Sequence, residues 1–80
     1  MGLYLVERYV PSVDRSTLRA ATERLDDLSD DDVPHVATVI VTAEETCLSL
    51  IEAPDTAAVE SLNQRAGFPF DRIVEVAGLR

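Results

Sequence analysis

Several residue types are scarce or missing in this 80-residue sequence, and each absence narrows the possibilities. Cys47 is the single cysteine, so no disulfide can form within the chain. No apolar run reaches the roughly 18 residues that a membrane-spanning helix needs. A chain this short buries only about 60% of the surface of its unfolded form, so its own core is marginal. We therefore expect support from a bound metal or from a partner chain.

Lysine is absent too, and the seven basic residues, all arginine, stand against fifteen acidic ones. The resulting net charge of −8 repels phosphate backbones and anionic lipids. This charge argues against a nucleic-acid partner and against binding to a membrane surface. The sequence also shows no charged start followed by a long apolar segment, so we expect no secretory signal and a cytoplasmic protein.

The apolar periodicity predicts six elements. Residues 3–10 alternate with apolar side chains on both faces, which is typical of a central strand. Residues 15–28 carry one apolar stripe at helical spacing, and residues 56–66 follow a candidate N-cap, Asp55, and precede Gly67, a residue suited to end a helix. The other segments are β-branched or alternating and predict strands at 35–42, 46–53 and 71–77.

The predicted order β-α-β-β-α-β is that of a ferredoxin-like plait, an α+β fold with two helices on one face of a four-stranded antiparallel sheet. Right-handed crossovers give the spatial strand order 4, 1, 3, 2. We expect one domain over residues 1–80.

Helices cover only one face of such a sheet, and the other face is predicted to be apolar. By strand parity we expect it to carry Leu3, Leu5, Tyr9, Ile51 and Ile73. A bare apolar face is unusual on a monomer. We expect a second copy to cover this face, which gives a homodimer packed face to face. Such a dimer is a dimeric α+β barrel with a cavity between the sheets.

Polar residues are interleaved with these apolar ones. Glu7, Ser49 and Glu75 are predicted to converge on the open face near Tyr9, where they could bind a small ligand or cofactor. When two carboxylates are close together, their repulsion raises the pKa of one of them. Such a pair can then act as an acid and a base in catalysis. The alternative is that both glutamates lie at strand ends and pair with Arg8 or Arg72.

His35, the single histidine, would need carboxylates such as Glu7 and Glu75 to hold a metal. One imidazole with carboxylates is a permissive set, suited to Ni²⁺, Zn²⁺ or Co²⁺ at modest affinity. No motif spacing fixes such a site, and a structural histidine at the start of a strand is the simpler interpretation. Likewise, Cys47 is either a nucleophile or, more simply, a small buried apolar group.

Three segments resemble a known family: YLVER before Pro11, ETCLSLIEAPD, and AGFPFDRIVEV. They resemble the small bacterial proteins called domain of unknown function 4242, which include a nickel-binding member. The resemblance covers about 45 residues in three blocks, and it implies a ferredoxin-like fold and a dimer. No metal ligand is implied residue by residue.

Two functions follow as hypotheses. The first is a dimeric binding protein that takes a divalent metal such as Ni²⁺ through Glu7, His35 and Glu75, or a small molecule through Glu7, Tyr9, Ser49 and Glu75. The second is a cofactor-independent isomerase or cyclase in which Glu7 or Glu75 is the general base.

Overall fold

The computed structural model describes residues 1–79 and shows a four-stranded antiparallel sheet with two α-helices. The order of elements confirms the predicted βαββαβ fold. None of the helices in the described chain is long and apolar enough to cross a membrane. The elements are β1 (Gly2–Tyr9), α1 (Arg15–Leu28), β2 (His35–Val41), a short 3-10 turn (Thr42–Glu44), β3 (Thr46–Ala53), α2 (Thr56–Ala66) and β4 (Arg72–Val76).

The sheet has the order β2-β3-β1-β4, which is the predicted arrangement. β1 lies in the interior and pairs antiparallel with β3 on one side and with β4 on the other, so that Val6 is opposite both Ser49 and Ile73. β2 is an edge strand, and its pairing with β3 shifts register between His35 and Ala37, as at a β-bulge. The opposite edge, β4, is only five residues long.

Local capping sets the ends of both helices. The Asp14 carboxylate accepts the Thr17 backbone N–H at 2.8 Å at the start of α1, and Asp55 accepts that of Ala58 at 2.9 Å at the start of α2. Gly67 ends α2 with φ of 65°, a left-handed conformation that glycine adopts without a Cβ clash.

The core lies between the helices and one face of the sheet. The helices contribute the predicted apolar stripes, of which Leu18, Ala21, Leu25, Val59, Leu62 and Ala66 are buried. From the sheet come Tyr4 and Val6 of β1 and Cys47, Ile51 and Ala53 of β3. Leu28, the last residue of α1, is exposed.

The opposite face, which we call the open face, has no helix over it, and its composition corrects the prediction. Ile51 pairs directly with Tyr4, and Ile73 pairs with Val6, so both isoleucines point toward the helices. The open face instead carries Leu3, Leu5, Leu48, Leu50, Val74 and Val76, with Val39 and Val41 of the edge strand. It is apolar, as predicted, but it is built from different β3 and β4 residues.

Candidate functional site

A buried arginine, Arg8, is the most unusual feature of the covered face, the face of the sheet that carries Tyr4, Val6 and Ile51 and packs against the helices. Arg8 follows Tyr4 and Val6 at intervals of two along β1, so its side chain leaves the sheet on the side of the helices. Only 1% of the residue is exposed. Charged side chains are seldom buried to this extent without a partner, so its surroundings indicate what the site can bind.

The hydrogen-bond and cation–π partners of the Arg8 guanidinium are neutral. Its Nη2 donates to Asn63 Oδ1 at 2.6 Å and to Ser49 Oγ at 3.1 Å. The guanidinium carbon lies 3.7 Å from the centre of the Phe68 ring, a cation–π contact. Asn63 is held in turn, because its Nδ2 donates to Val59 O at 2.8 Å. β3, α2 and the segment after α2 thus all position this one side chain.

From Ser49 a chain of hydrogen bonds runs to the surface, and we call it the polar chain. Ser49 Oγ lies 2.8 Å from Thr38 Oγ1, and Thr38 Oγ1 lies 2.7 Å from His35 Nε2. His35 Nδ1 then lies 2.9 Å from Asp26 Oδ1. One set of proton positions satisfies every link: Arg8 donates to Ser49, each hydroxyl donates onward, and a neutral His35 donates from Nδ1 to Asp26.

The cation of Arg8 nevertheless lacks an anionic partner. Among the ion pairs of residues 1–79, none involves Arg8. Its Nε and Nη1 atoms are buried and make no hydrogen bond within the described chain. Burial lowers the pKa of the guanidinium to about 10, although a Cys47 thiolate would raise it. At neutral pH the group therefore remains a buried cation with unused N–H donors.

A cavity of about 350 Å³ adjoins this cation. It lies between α1, the end of β1 and the segment after α2, and Arg8 lines part of its wall. The other walls are mostly apolar, including Val10, Leu18 and Phe70. Arg24 adds a second cation, and its Nε donates to Ala66 O at 3.0 Å. The cavity thus combines apolar surface with positive charge.

The structure does not bring the two predicted glutamates together. Glu7 lies on the open face, where its carboxylate accepts from Arg72 Nη2 at 2.8 Å. Glu75 is opposite Tyr4 on the other side of the sheet, and its carboxylate lies near Gly2. The predicted convergence on one face is wrong, because β4 pairs with β1 in a register that gives Glu75 the parity of Tyr4. The alternative pairing of Glu7 with Arg72 is present.

The other predicted site residues are also separated. Ser49 is buried beside Arg8 on the covered face, whereas Tyr9 is 63% exposed on the open-face side. His35 contacts Asp26 and Thr38, and neither glutamate lies within its hydrogen bonds. Within residues 1–79 no three His, Cys, Asp or Glu side chains cluster closely enough to hold a metal ion.

Cys47 is buried in β3, among the apolar side chains of the core. Burial raises the pKa of its thiol, which is the opposite of what a nucleophilic thiolate requires, although the positive charge of Arg8 works against this shift. The simpler interpretation, a small buried apolar group, agrees with this position.

The sequence contained a signal for the buried cation that the interpretation missed. Arg8 has the strand parity of Tyr4 and Val6, and those residues were expected to lie away from the open face. Asn63 follows Leu62 and lies one helical turn after Val59, next to the apolar stripe of α2. It is fully buried. Thr38 and Phe68 carried no distinguishing signal.

A family model and a solved structure both match this chain. The family model described as nickel responsive protein SCO4226-like matches residues 4–76. The crystal structure of SCO4226 from Streptomyces coelicolor A3(2) superposes with a TM-score of 0.83 at 22% identity, covering 98% of this chain and 99% of that one. At this identity the likeness shows the fold. No curated protein sequence matches significantly. The predicted domain of unknown function 4242 is compatible with these findings.

Proposed function

Because this chain belongs to the SCO4226-like family of nickel-responsive proteins, we propose that it is a small homodimeric protein that binds Ni²⁺ or a similar divalent metal. The match to the family over residues 4–76 is the observation that carries the proposal. It agrees with the first hypothesis from the sequence, a metal-binding protein. That hypothesis began from a chain with a small core and no disulfide, for which a bound metal or a partner chain was expected to add stability.

The proposed dimer packs two open faces together. Six leucines and valines on the three strands β1, β3 and β4 lie on this face without a helix over them, and Val39 of the edge strand is 57% exposed. Contiguous apolar surface of this kind marks an association site. A second copy offers the same strands and a matching apolar surface, as a two-fold interface requires.

The metal site is proposed to be shared between the copies. One chain, over its described residues, offers no cluster of three candidate ligands. Of the predicted ligands Glu7, His35 and Glu75, only Glu7 lies on the open face, so a two-fold dimer adds a second Glu7 carboxylate to the same interface. Carboxylate oxygens and solvent would form a hard, weakly selective ligand set for the bound cation.

Native mass spectrometry with and without added Ni²⁺ tests both parts. The expected species is a dimer that keeps a small whole number of nickel ions after buffer exchange. Glu7→Gln should reduce nickel retention while the dimer persists, and the exposed helix variant Glu60→Gln should not. His35→Gln and Glu75→Gln test the other two predicted ligands. A monomer contradicts the dimer, and a metal-free dimer contradicts nickel binding.

The enzyme hypothesis receives less support. An isomerase or cyclase would need Glu7 or Glu75 beside a substrate cavity. Neither carboxylate lines the cavity of about 350 Å³ or a second one of about 190 Å³.

A further inference from the structure

We propose that the cavity beside Arg8 is a binding site for a small organic carboxylate whose apolar part occupies the cavity and whose anionic oxygens accept from Arg8. This site is on the helix side of the sheet, so it is separate from the open face and from the proposed metal. It stands whether or not the chain dimerises.

The donors of Arg8 define the chemistry of the missing partner. A guanidinium has N–H donors and no acceptor, and Asn63 and Ser49 use only Nη2. The Nε and Nη1 donors remain without a partner in the described chain and are shielded from solvent, so a side chain of the cavity wall must shift for an acceptor to reach them. An acceptor that also carries negative charge satisfies the donors and neutralises the buried cation in one step.

The site is already rigid without a ligand. Phe68 packs against the face of the guanidinium at 3.7 Å, and Asn63 and Ser49 hold one of its edges. The side chain therefore has little freedom to turn toward solvent. An arginine held in place in this manner loses little conformational entropy when an anion binds, which favours affinity.

The shape and charge of the cavity favour an organic anion over an inorganic one. About 350 Å³ is within the range of small-molecule pockets, and Val10, Leu18 and Phe70 give it apolar walls. The carboxylate of Asp71, also at the cavity, already accepts the Tyr9 backbone N–H at 2.6 Å. Arg8 and Arg24 leave the walls with an excess of positive charge, although the whole chain carries −8.

Sodium phenylacetate is a suitable probe, and phenylacetamide is its neutral counterpart of almost the same shape. We expect phenylacetate, titrated into ¹⁵N-labelled protein, to shift backbone amide signals around the cavity, including those of Thr17, Phe68 and Phe70. The amide should bind at least about tenfold more weakly, because it cannot neutralise the cation. Equal affinity for the two compounds would overturn the proposal.

Substitutions test whether phenylacetate binds at Arg8 in this cavity. Arg8→Met should weaken phenylacetate binding at least about tenfold, whereas Arg65→Met, which removes an exposed arginine of α2 away from the cavity, should leave the affinity unchanged. Thr17 is exposed at the cavity rim, so Thr17→Phe should block entry without disturbing the core. If Arg8→Met does not fold, Thr17→Phe and the neutral probe still decide the question.

Two further outcomes would count against the site. Inorganic phosphate that shifts the same signals with the affinity of phenylacetate would replace the organic ligand by a simple anion. Shifts that are the same in the Arg8→Met and Thr17→Phe proteins as in the unaltered chain would place the binding elsewhere.

Discussion

The two faces of the sheet differ in a way that reverses the usual expectation. The covered face, under the helices, contains a buried cation and the polar chain from Ser49 to Asp26. The open face, without a helix, is mostly leucine and valine. Polar groups are therefore inside the single chain, and much of its apolar surface is outside it.

This contrast indicates what each face requires. The polar groups of the covered face are arranged by contacts within one chain, so they contribute to the folding of that chain. The apolar side chains of the open face gain little until another surface removes them from water. Variants on the two faces should consequently change different measurements.

The largest expected effect is on the open face. Leu50 lies opposite Leu5 on the two inner strands, and Leu50→Glu would place a carboxylate from each copy in the proposed interface. We expect the dimer dissociation constant to rise by about 1,000-fold or more, because desolvated like charges cost several kcal/mol. Sedimentation equilibrium measures the change. The control, Ala57→Glu at an exposed position of α2, adds the same charge away from the open face. If both variants change the dissociation constant equally, the open face is not the interface.

On the covered face, Asn63→Leu keeps the side-chain size but removes the strongest acceptor of Arg8. The free energy of unfolding should fall by about 3 kcal/mol, since a buried charged donor loses its partner. Urea denaturation followed by circular dichroism measures this loss. The neighbouring exposed variant Gln64→Leu should change stability by less than about 0.5 kcal/mol. Equal losses would mean that the Arg8 contact contributes nothing specific.

Thr38→Val interrupts the polar chain with a side chain of the same shape. Both Ser49 and His35 lose a partner, so we expect a loss of about 1.5 kcal/mol in the free energy of unfolding. Thr42→Val, at an exposed threonine in the turn between β2 and β3, is the matched control. A loss no larger than that of the control would show that the polar chain does not stabilise the fold.

The smallest effect concerns pH and Cys47. Its thiol pKa is raised by burial above the ordinary 9.0, so above that pH the unfolded chain releases a proton that the folded chain retains. Stability should therefore fall as pH rises through this range, by under about 1 kcal/mol per pH unit. Cys47→Ala removes this contribution, and denaturation at several alkaline pH values compares the two slopes. Identical slopes would contradict the shifted thiol.

The parts of the fold set by short stretches of sequence were predictable. Both helices run over the predicted residues. For α2, the predicted start signal Asp55 and stop signal Gly67 act on backbone groups only a few residues away. The strand order followed from the order of elements and the handedness of their connections.

The register in which neighbouring strands pair was harder to predict from the sequence. Parity within one strand can be read from the sequence, but the relation between strands depends on loop geometry, and a shift by one residue moves every side chain to the other face. Ile51, Ile73 and Glu75 were misplaced for this reason. The environment of Arg8 could not be predicted either, because its partners Asn63 and Ser49 are 55 and 41 positions away in the sequence.

The two edges of the sheet have a consequence for how association ends. An exposed strand edge can recruit further strands without limit, which is the route to fibrous aggregates. Here β2 is interrupted between His35 and Ala37, and β4 has five residues, so neither edge is a long regular template. In the proposed dimer, in contrast, each open face is covered by the other copy, so no open face remains to bind a third chain. The proposed face-to-face dimer is therefore a closed, finite assembly, even though each chain exposes an apolar surface.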